Sequence, residues 1–319
     1  MLGGMRRFIC LFGLSLLWQC SADEGKTAGP GGFGGSGAAG ATGGTGGSSA
    51  SAGAGGSGAG SSGTGGGIIT DSGACTPTTA VETECNGLDD DCNGKIDDVD
   101  VGKDGICDCL RIGIVGSPGS NPSANFQGWL VARGTSVERS HTAPTETFDA
   151  AFVAKYDVLI FDKLSRDYTA AEADALKVWV EAGGGFVSMT GYTDTPLDFR
   201  ANTLLAPIGL SYQPGLHSEP VTIFATHPVT AGLTSVTFLG GYLVGDSGGS
   251  GGTSTVIGSI SAGPVAYAHE RGKGRAVVWG DEWIEYDSEW QTLPEIEKLW
   301  VNLMSWLGPQ DSCSVPVPR

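Results

Sequence analysis

The most informative part of the sequence is residues 157–189, which read DVLIFDKLSRDYTAAEADALKVWVEAGGGFVSM. Two short apolar runs lie at its ends, at residues 157–161 and 185–189. Runs of this length are typical of strands that are buried on both faces of a sheet. The stretch therefore predicts two buried strands with a helix-length segment between them.

The intervening segment has the pattern of an amphipathic helix over residues 169–182. Thr169 can cap this helix, and Glu172 follows three residues later, as in a capping box. The residues that share one helical face are Ala173, Leu176 and Val180. The glycines at 183–185 then end the helix.

The same alternation continues on both sides of this stretch. An apolar run at residues 110–115 ends in the turn Gly116–Gly119, and residues 276–279 form a last strand before an amphipathic helix at 295–307. We expect further strands at residues 221–224, 236–244, 255–260 and 265–269. Alternating strands and helices predict an α/β fold of the flavodoxin-like kind over residues 110–308, a mainly parallel sheet with helices on both faces. Residues 309–319 are then a C-terminal tail.

Three motifs in this region resemble one protein superfamily. They are THPVTAGL at 226–233, GKGRAVVWGD at 272–281 and LWVNLMSWL at 299–307. Together they are similar to the class I glutamine-amidotransferase-like superfamily, near its trehalose-utilisation-protein-like branches. The resemblance implies a fold rather than a reaction.

The residues that glutaminases of this superfamily use for catalysis do not stand in their usual places. The family's nucleophilic Cys follows a strand, but the corresponding strand here ends in Ser188–Gly191. The family's His-x-Glu pair follows the last strand, where this chain has Gly280–Glu282; His217–Glu219 has the local pattern but comes earlier. We therefore expect no amidotransferase activity. The string GDSGG at 245–249 resembles a trypsin-like nucleophile segment, but that signature belongs to an all-β fold, so we interpret it as a surface loop.

Ligands of open α/β sheets usually bind at the carboxyl ends of the strands. The polar residues predicted there are Asp162, Thr190, Tyr192, Asp281 and Glu282, with His227 as a further candidate. A cleft of this composition could hold a sugar or a second cation. Each of these residues could instead be solvated or structural.

Acidic residues are concentrated in residues 82–108, which hold ten carboxylates and two lysines, a net charge of −8 out of −17 for the whole chain. The surrounding segment, residues 70–109, has too few apolar residues for a core of its own. Disulfides or a metal must therefore hold this module together.

The spacing that starts at Asp89 reproduces the EF-hand loop pattern D-x-[DN]-x-[DN]-G. The predicted ligands are Asp89, Asp91, Asn93, the backbone carbonyl of Lys95, Asp97 and Asp100. In such a loop, alternate side chains converge on one hard cation. Asp100 stands where a Glu usually closes the loop, which predicts a modest affinity.

The segment Cys85–Asp98 also resembles a metal-binding repeat of secreted bacterial proteins, a Cys followed by Gly-x-Asp-x-Asp-Cys-x-Gly-x-x-Asp. The resemblance implies a metal, and copper has been associated with some members. Oxygen ligands without a nearby His favour Ca²⁺ over copper or zinc. The alternative is a solvated acidic loop closed by disulfides.

The N-terminus has the features of an export signal, because Arg6 and Arg7 precede an apolar stretch at 8–18 that is short for a membrane span. Leu17–Cys20 resembles a bacterial lipobox, which predicts a lipoprotein signal peptide at 1–19 and a lipid on Cys20. Cleavage after Ala22 is the alternative. Ser21 resembles an outer-membrane sorting signal, so we expect an outer-membrane anchor, with the protein facing the periplasm or the cell surface.

The segment after the signal, residues 20–69, is rich in Gly, Ser and Ala. It lacks the apolar side chains that offset chain entropy, so we predict a disordered tether. A repetitive structural role is the alternative, but no Gly-X-Y period supports it.

Six cysteines remain in the exported protein, and an even number favours three disulfides in an oxidising compartment. They are Cys75, Cys85, Cys92, Cys107, Cys109 and Cys313. The sequence does not choose among their possible pairings.

The net charge of −17 argues against a nucleic-acid partner, since phosphate binding needs basic patches. The sequence thus predicts an exported, lipid-anchored, calcium-binding protein whose α/β domain recognises a carbohydrate or protein ligand without catalysis. The rival hypothesis is a hydrolase of a glycan or amide that uses Asp281 and Glu282 as general acid and base.

Overall fold

The computed structural model describes residues 75–118, 124–143, 145–192, 195–249, 251–286, 292–310 and 313, which all fall within one compact unit, residues 70–319. The predicted signal peptide, lipidated Cys20 and tether lie outside the described residues. Among the described residues, no helix has the length and apolar character that crossing a bilayer requires.

An eight-stranded sheet is the centre of the described structure. The ten strands of the described structure, eight of them in this sheet, are β1 (Arg111–Val115), β2 (Ser136–Ser140), β3 (Val158–Phe161), β4 (Gly185–Met189), β5 (Leu210–Ser218), β6 (Ile223–Phe224), β7 (Leu239–Asp246), β8 (Thr253–Ile260), β9 (Gly263–Arg271) and β10 (Gly274–Trp279). The order in the large sheet is β2-β1-β3-β4-β10-β9-β8-β6, and β5 pairs with β7 in a separate ribbon. The first five strands in this order are parallel and the last three are antiparallel, which confirms the predicted mainly parallel α/β sheet.

Five α-helices accompany the described sheet. They are α1 (Ala124–Val131), α2 (Ala150–Val153), α3 (Ala170–Ala182), α4 (Ala201–Leu205) and α5 (Pro294–Leu307). Short 3₁₀ turns lie at Pro196–Phe199, Ala206–Ile208, Pro228–Thr230 and Glu282–Glu285. The predicted capping box of α3 is confirmed: the Thr169 hydroxyl accepts from the Glu172 amide, and the Glu172 carboxylate accepts from the Thr169 amide.

The apolar strands bury side chains on both faces of the sheet, as their continuous hydrophobicity requires. In β3, Val158 and Ile160 belong to the core layer that includes α1 and α5. Leu159 and Phe161 alternate with them and belong to the opposite layer, which includes α2, α3 and α4. Helices therefore cover both faces of the parallel half.

The antiparallel half follows the predicted strand-rich stretch with shifted boundaries. The segments predicted at 255–260 and 265–269 are extended into β8 and β9. The strand predicted at 236–244 begins only at Leu239, because Val236 forms an isolated bridge with Val221 instead. Strand β5 was not predicted; its irregular pairing between Tyr212 and Leu216 spans Pro214 and Gly215.

Residues 75–109 are held mainly by disulfides and turns, as their composition predicts. The six cysteines form three disulfides, Cys75–Cys92, Cys85–Cys109 and Cys107–Cys313. Ile106 and Leu110 are buried in the core layer of α1 and α5. The last bridge joins this segment to the chain beyond α5, and Cys313 donates its amide to the carbonyl of Ile96. Three disulfides indicate an oxidising compartment.

Candidate metal centre and ligand cavity

Three carboxylates converge in the disulfide-braced segment. Glu82, Asp91 and Asp98 each place one oxygen within 4.8 Å of the others, and we call them the acidic triad. Cys85–Cys109 and Cys75–Cys92 close the chain around them, with Cα–Cα distances of 5.7 and 5.6 Å. The triad therefore lies in a segment whose path is fixed by covalent bonds.

Glu82 is the unusual member of the acidic triad because it is only 6% exposed. Its Oε1 accepts a hydrogen bond from the Asp90 amide at 3.0 Å, whereas its Oε2 is buried without a hydrogen-bond partner. Burial raises the pKa of Glu82, the backbone amides of Asp90 and Asp98 oppose this shift, and the charges of Asp98 and Asp97 add to it. A buried carboxylate oxygen without a partner is costly, so a partner of positive charge fits this position.

The other two members of the triad are tied together by an amide. The Asn93 side chain donates to Asp91 Oδ2 at 3.2 Å and to Asp98 Oδ2 at 3.0 Å. One carboxylate oxygen of each residue is thus oriented by the same group. Three hard oxygen donors in this arrangement fit a divalent cation such as Ca²⁺ or Mg²⁺ better than a soft metal.

Of the six ligands predicted from EF-hand spacing, only Asp91 belongs to the acidic triad. The side chains of the other predicted carboxylates brace the loop by accepting backbone amides: Asp89 from Asn93 and Gly94, Asp97 from Asn86 and Gly87, and Asp100 from Asp104 and Gly105. Asn93 accepts from the Lys95 amide. The Asn93 contact is an Asx-type turn and those of Asp89 and Asp100 are local, whereas Asp97 joins two parts of the segment ten or eleven residues apart.

Spacing alone missed Glu82 and Asp98. Glu82 precedes the twelve-residue window that starts at Asp89, and Asp98 falls between two of its ligand positions. The available signal was the excess of carboxylates over the number that one EF-hand loop needs.

A second candidate site lies at the carboxyl ends of the parallel strands. A cavity of about 420 Å³ is bordered by residues that follow β1, β3, β4 and β10, which are Ser117, Asp162, Thr190 and Glu282. The segment from Thr195 to Ala201 completes the wall and adds Asp198 and Arg200. This volume is in the range of small-molecule sites.

Glu282 is the buried acid of the cavity. It is 6% exposed, its Oε2 has no hydrogen-bond partner, and its Oε1 accepts from the Tyr286 hydroxyl at 3.5 Å. Burial raises the pKa of Glu282 to about 8, and neighbouring carboxylates reinforce the shift. These neighbours are Asp281, Asp162 and Asp198. At neutral pH the side chain is therefore mostly a neutral carboxylic acid.

The carboxyl groups of Asp162 and Glu285 both lie near the guanidinium group of Arg139. Arg139, from β2, donates to Asp162 at 2.7 Å and lies 3.9 Å from Glu285. Burial raises the pKa of Glu285 well above its usual value, and the Asp162 charge adds to the effect while Arg139 opposes it. The positive charge of Arg139 thus stabilises the ionised forms of two buried carboxyl groups.

The structure brings together three of the six predicted cleft residues, Asp162, Thr190 and Glu282. Asp281 instead caps the turn that carries Glu282, accepting from the amides of Leu239 at 2.5 Å and Trp283 at 3.0 Å. Tyr192 is 58% exposed, and its ring lies 6.4 Å from that of Trp283.

His227 lies on a different surface. It borders a separate cavity with Arg275 and Trp306, and its ring is 4.8 Å from the Trp306 ring. Its Nδ1 accepts from the Val229 amide, and burial lowers its pKa. Sequence reasoning also missed Asp198, which lines the first cavity and accepts from the Tyr242 hydroxyl at 2.7 Å.

No family model matches the chain, and no curated protein sequence does. Solved structures similar to it include a cytoplasmic protein of Salmonella typhimurium, with 14% identity, a TM-score of 0.48, and coverage of 63% of this chain and 100% of that one. A protein described as ThuA-like from Bacteroides uniformis has 16% identity, a TM-score of 0.42, and coverage of 62% and 90%. A β-galactosidase of Rahnella has 15% identity, a TM-score of 0.39, and coverage of 60% and 31%. At these identities and TM-scores the similarity assigns neither a family nor an activity to the chain.

Proposed function

We propose that the protein is an exported, lipid-anchored, calcium-binding protein of the cell envelope, and that its α/β domain recognises a carbohydrate or protein ligand without catalysing a reaction. The observation that carries the metal part is the buried, partnerless Oε2 of Glu82 beside Asp91 and Asp98. Three disulfides support an exported location, and the lipobox-like Cys20 supports the anchor, with Ser21 favouring the outer membrane.

Calcium is the cation that the chemistry of the acidic triad favours. Ca²⁺ accepts six to eight oxygen ligands in flexible geometry, so carboxylates of a loop can serve it together with carbonyls and water. Mg²⁺ demands a stricter octahedron and gives up its water reluctantly. Extracellular calcium is abundant enough for a modest affinity to suffice.

Calcium titration into the oxidised protein by calorimetry tests the metal site. Wild type is expected to bind Ca²⁺ in preference to Cu²⁺ and Zn²⁺, and Glu82→Gln is expected to weaken binding at least roughly tenfold, about 1.4 kcal/mol. Glu84→Gln is the matched control, because Glu84 is exposed, lies two residues away and loses the same charge. Equal calcium affinities of the Glu82→Gln and Glu84→Gln variants would show that Glu82 is not a calcium ligand.

The anchor is tested by expressing the full chain and a Cys20→Ser variant in a bacterium. Mass spectrometry should find an acylated N-terminal Cys20 in the membrane fraction, and the variant should be released in soluble form. A wild-type N-terminus at Asp23, without lipid, would support ordinary cleavage after Ala22 instead.

A second candidate function, a carboxylate-dependent hydrolase of a glycan or amide, is favoured by Glu282. A buried acid with a pKa of about 8 that faces a cavity has the properties of a general acid. The base would be Asp162 or Asp198, which line the cavity, rather than the capping residue Asp281. Turnover of a glycan or amide that is lost in Glu282→Gln would favour this function over non-catalytic recognition.

A further inference from the structure

The cavity is lined by both apolar and polar side chains. Leu164, Met189 and Leu197 contribute apolar surface, and Ser117, Ser165 and Thr190 contribute hydroxyl groups. A ligand that matches this lining must have apolar faces and groups that both donate and accept hydrogen bonds. Hydroxyl groups on a compact carbon skeleton satisfy both conditions.

Residues after two neighbouring strands, β10 and β4, set the position of Glu282. The turn capped by Asp281 places it over the cavity, and Gly191, after β4, leaves the space its carboxyl group occupies. A Cβ at position 191 would collide with Glu282 Oε2. The partnerless oxygen therefore lies close against Gly191 at the cavity wall.

The charged and titratable groups around Glu282 come from several elements. They are Asp162 and Lys163 after β3, Asp198 and Arg200 of the 195–201 segment, Arg139 of β2, Tyr212 of β5, and Asp281, Glu285 and Tyr286 beside it in the chain. Of these described groups, the four carboxyl groups of Asp162, Asp198, Asp281 and Glu285 outnumber the three cations, Lys163, Arg200 and Arg139, and Arg139 is already paired with Asp162. This imbalance disfavours a further negative charge, so it keeps a proton on Glu282 and opposes an anionic ligand.

We propose that this cavity binds an uncharged, polyhydroxylated ligand, and that Glu282 sets this specificity by donating a hydrogen bond to the ligand as a neutral carboxylic acid. The inference rests on the recognition role proposed above. In the neutral state Glu282 supplies a donor, while Asp162 and the wall hydroxyls supply acceptors. Loss of the proton would replace the donor with a charge that no ligand group offsets.

The test is a binding screen with chemically matched probes. The oxidised protein is mixed with uncharged mono- and disaccharides and with amino sugars and uronic acids, and binding is read by saturation-transfer NMR and then by calorimetry. An uncharged sugar should bind wild type roughly thirtyfold more weakly at about pH 9.5 than at about pH 6.5, because the protonated fraction falls by that factor.

Two variants separate the protonated acid from the carboxylate. Glu282→Gln carries a neutral donor of the same shape, so it should bind as wild type does at low pH and lose the pH dependence. Glu282→Ala should bind weakly at every pH. Glu270→Gln, an exposed carboxyl change elsewhere in the domain, should leave the wild-type pH profile unchanged.

Two different sets of results would overturn the inference, and they differ in what they imply for the proposed recognition role. Binding of a charged sugar alone, or binding that strengthens with pH and disappears in Glu282→Gln, would overturn the inference and leave the recognition role standing. Binding of no probe at millimolar concentration would overturn the inference and count against recognition of a carbohydrate. Calcium binding at the acidic triad is measured independently of either result.

Discussion

Replacing Glu282 with Gln should stabilise the fold, and the gain should depend on pH. The pKa of Glu282 is raised from 4.5 to about 8 in the folded protein. Below about pH 4.5 Glu282 carries its proton in both the folded and the unfolded protein, so its titration does not change the free energy of unfolding. Between about pH 4.5 and 8 the unfolded chain loses the proton first, so the free energy of unfolding falls as pH rises.

The magnitude follows from the size of this window. Each pH unit between the unfolded and folded pKa costs about 1.36 kcal/mol, so the loss at pH 7 is about 3 kcal/mol and its limit above pH 8 is about 4–5 kcal/mol. Gln at position 282 does not titrate. The difference in unfolding free energy between Glu282→Gln and wild type should therefore grow from a constant offset at about pH 4.5 by these amounts.

Urea unfolding of the oxidised proteins at about pH 5, 6, 7 and 8 measures this difference. Burial also raises the pKa of Glu285, so the variant retains part of the wild-type pH dependence, and the difference between the two proteins is the informative quantity. Glu270→Gln, an exposed carboxyl change, should give a difference that is flat with pH. A flat difference for Glu282→Gln would refute the buried neutral acid on which the cavity's chemistry depends.

Three further predictions concern the surroundings of the two sites. Gly191→Ala should destabilise the fold by about 1–3 kcal/mol in chemical denaturation, because the added Cβ collides with Glu282; an unchanged midpoint would contradict this packing. Replacing both Cys107 and Cys313 with Ser should cost about 2–5 kcal/mol of unfolding free energy, since this bridge joins positions 206 residues apart; an unchanged unfolding free energy would contradict this, and the fully reduced wild type, which loses all three bridges, should lose more. Arg139→Met should cost about 3–5 kcal/mol at neutral pH by removing the partner of buried Asp162, and thermal unfolding that is unaffected would show that the pair is not needed.

The parallel half of the fold could be predicted because its strands are buried on both faces. Such strands need continuous apolar runs, and β3, β4 and β10 have them. Strand β2 has the sequence SVERS and pairs with β1 at the sheet edge. Its partly exposed polar residues do not form the apolar run that predicts a buried strand. Helix α1 contains Gly128 and lacks acidic residues in its first turn, which left no start signal.

The cavity was partly predictable for the same reason. Asp162, Thr190 and Glu282 follow parallel strands directly, and strand ends meet at one edge of a sheet. Asp198 comes from a turn inserted after β4, so its position depends on packing rather than on strand order. The capping role of Asp281 had a local signal, since Asp is a preferred residue at helix starts.

The acidic triad could not be read from linear spacing. The predicted ligands Asp89, Asp97 and Asp100 accept hydrogen bonds from backbone amides. The three carboxylates that converge lie on both sides of Cys85 in the sequence. Their approach depends on the disulfide pairing Cys75–Cys92 and Cys85–Cys109, which the sequence leaves open. The acidic composition indicated a metal site, but which residues could bind the metal depends on how the disulfides fold the segment.

A crystal structure of the oxidised protein grown with calcium chloride tests the metal site most directly. We expect anomalous density for one calcium ion, with oxygens of Glu82, Asp91 and Asp98 at about 2.3–2.6 Å from it. Calcium held instead by Asp89, Asp97 and Asp100, or a triad that stays free of metal at saturating calcium, would contradict the assignment.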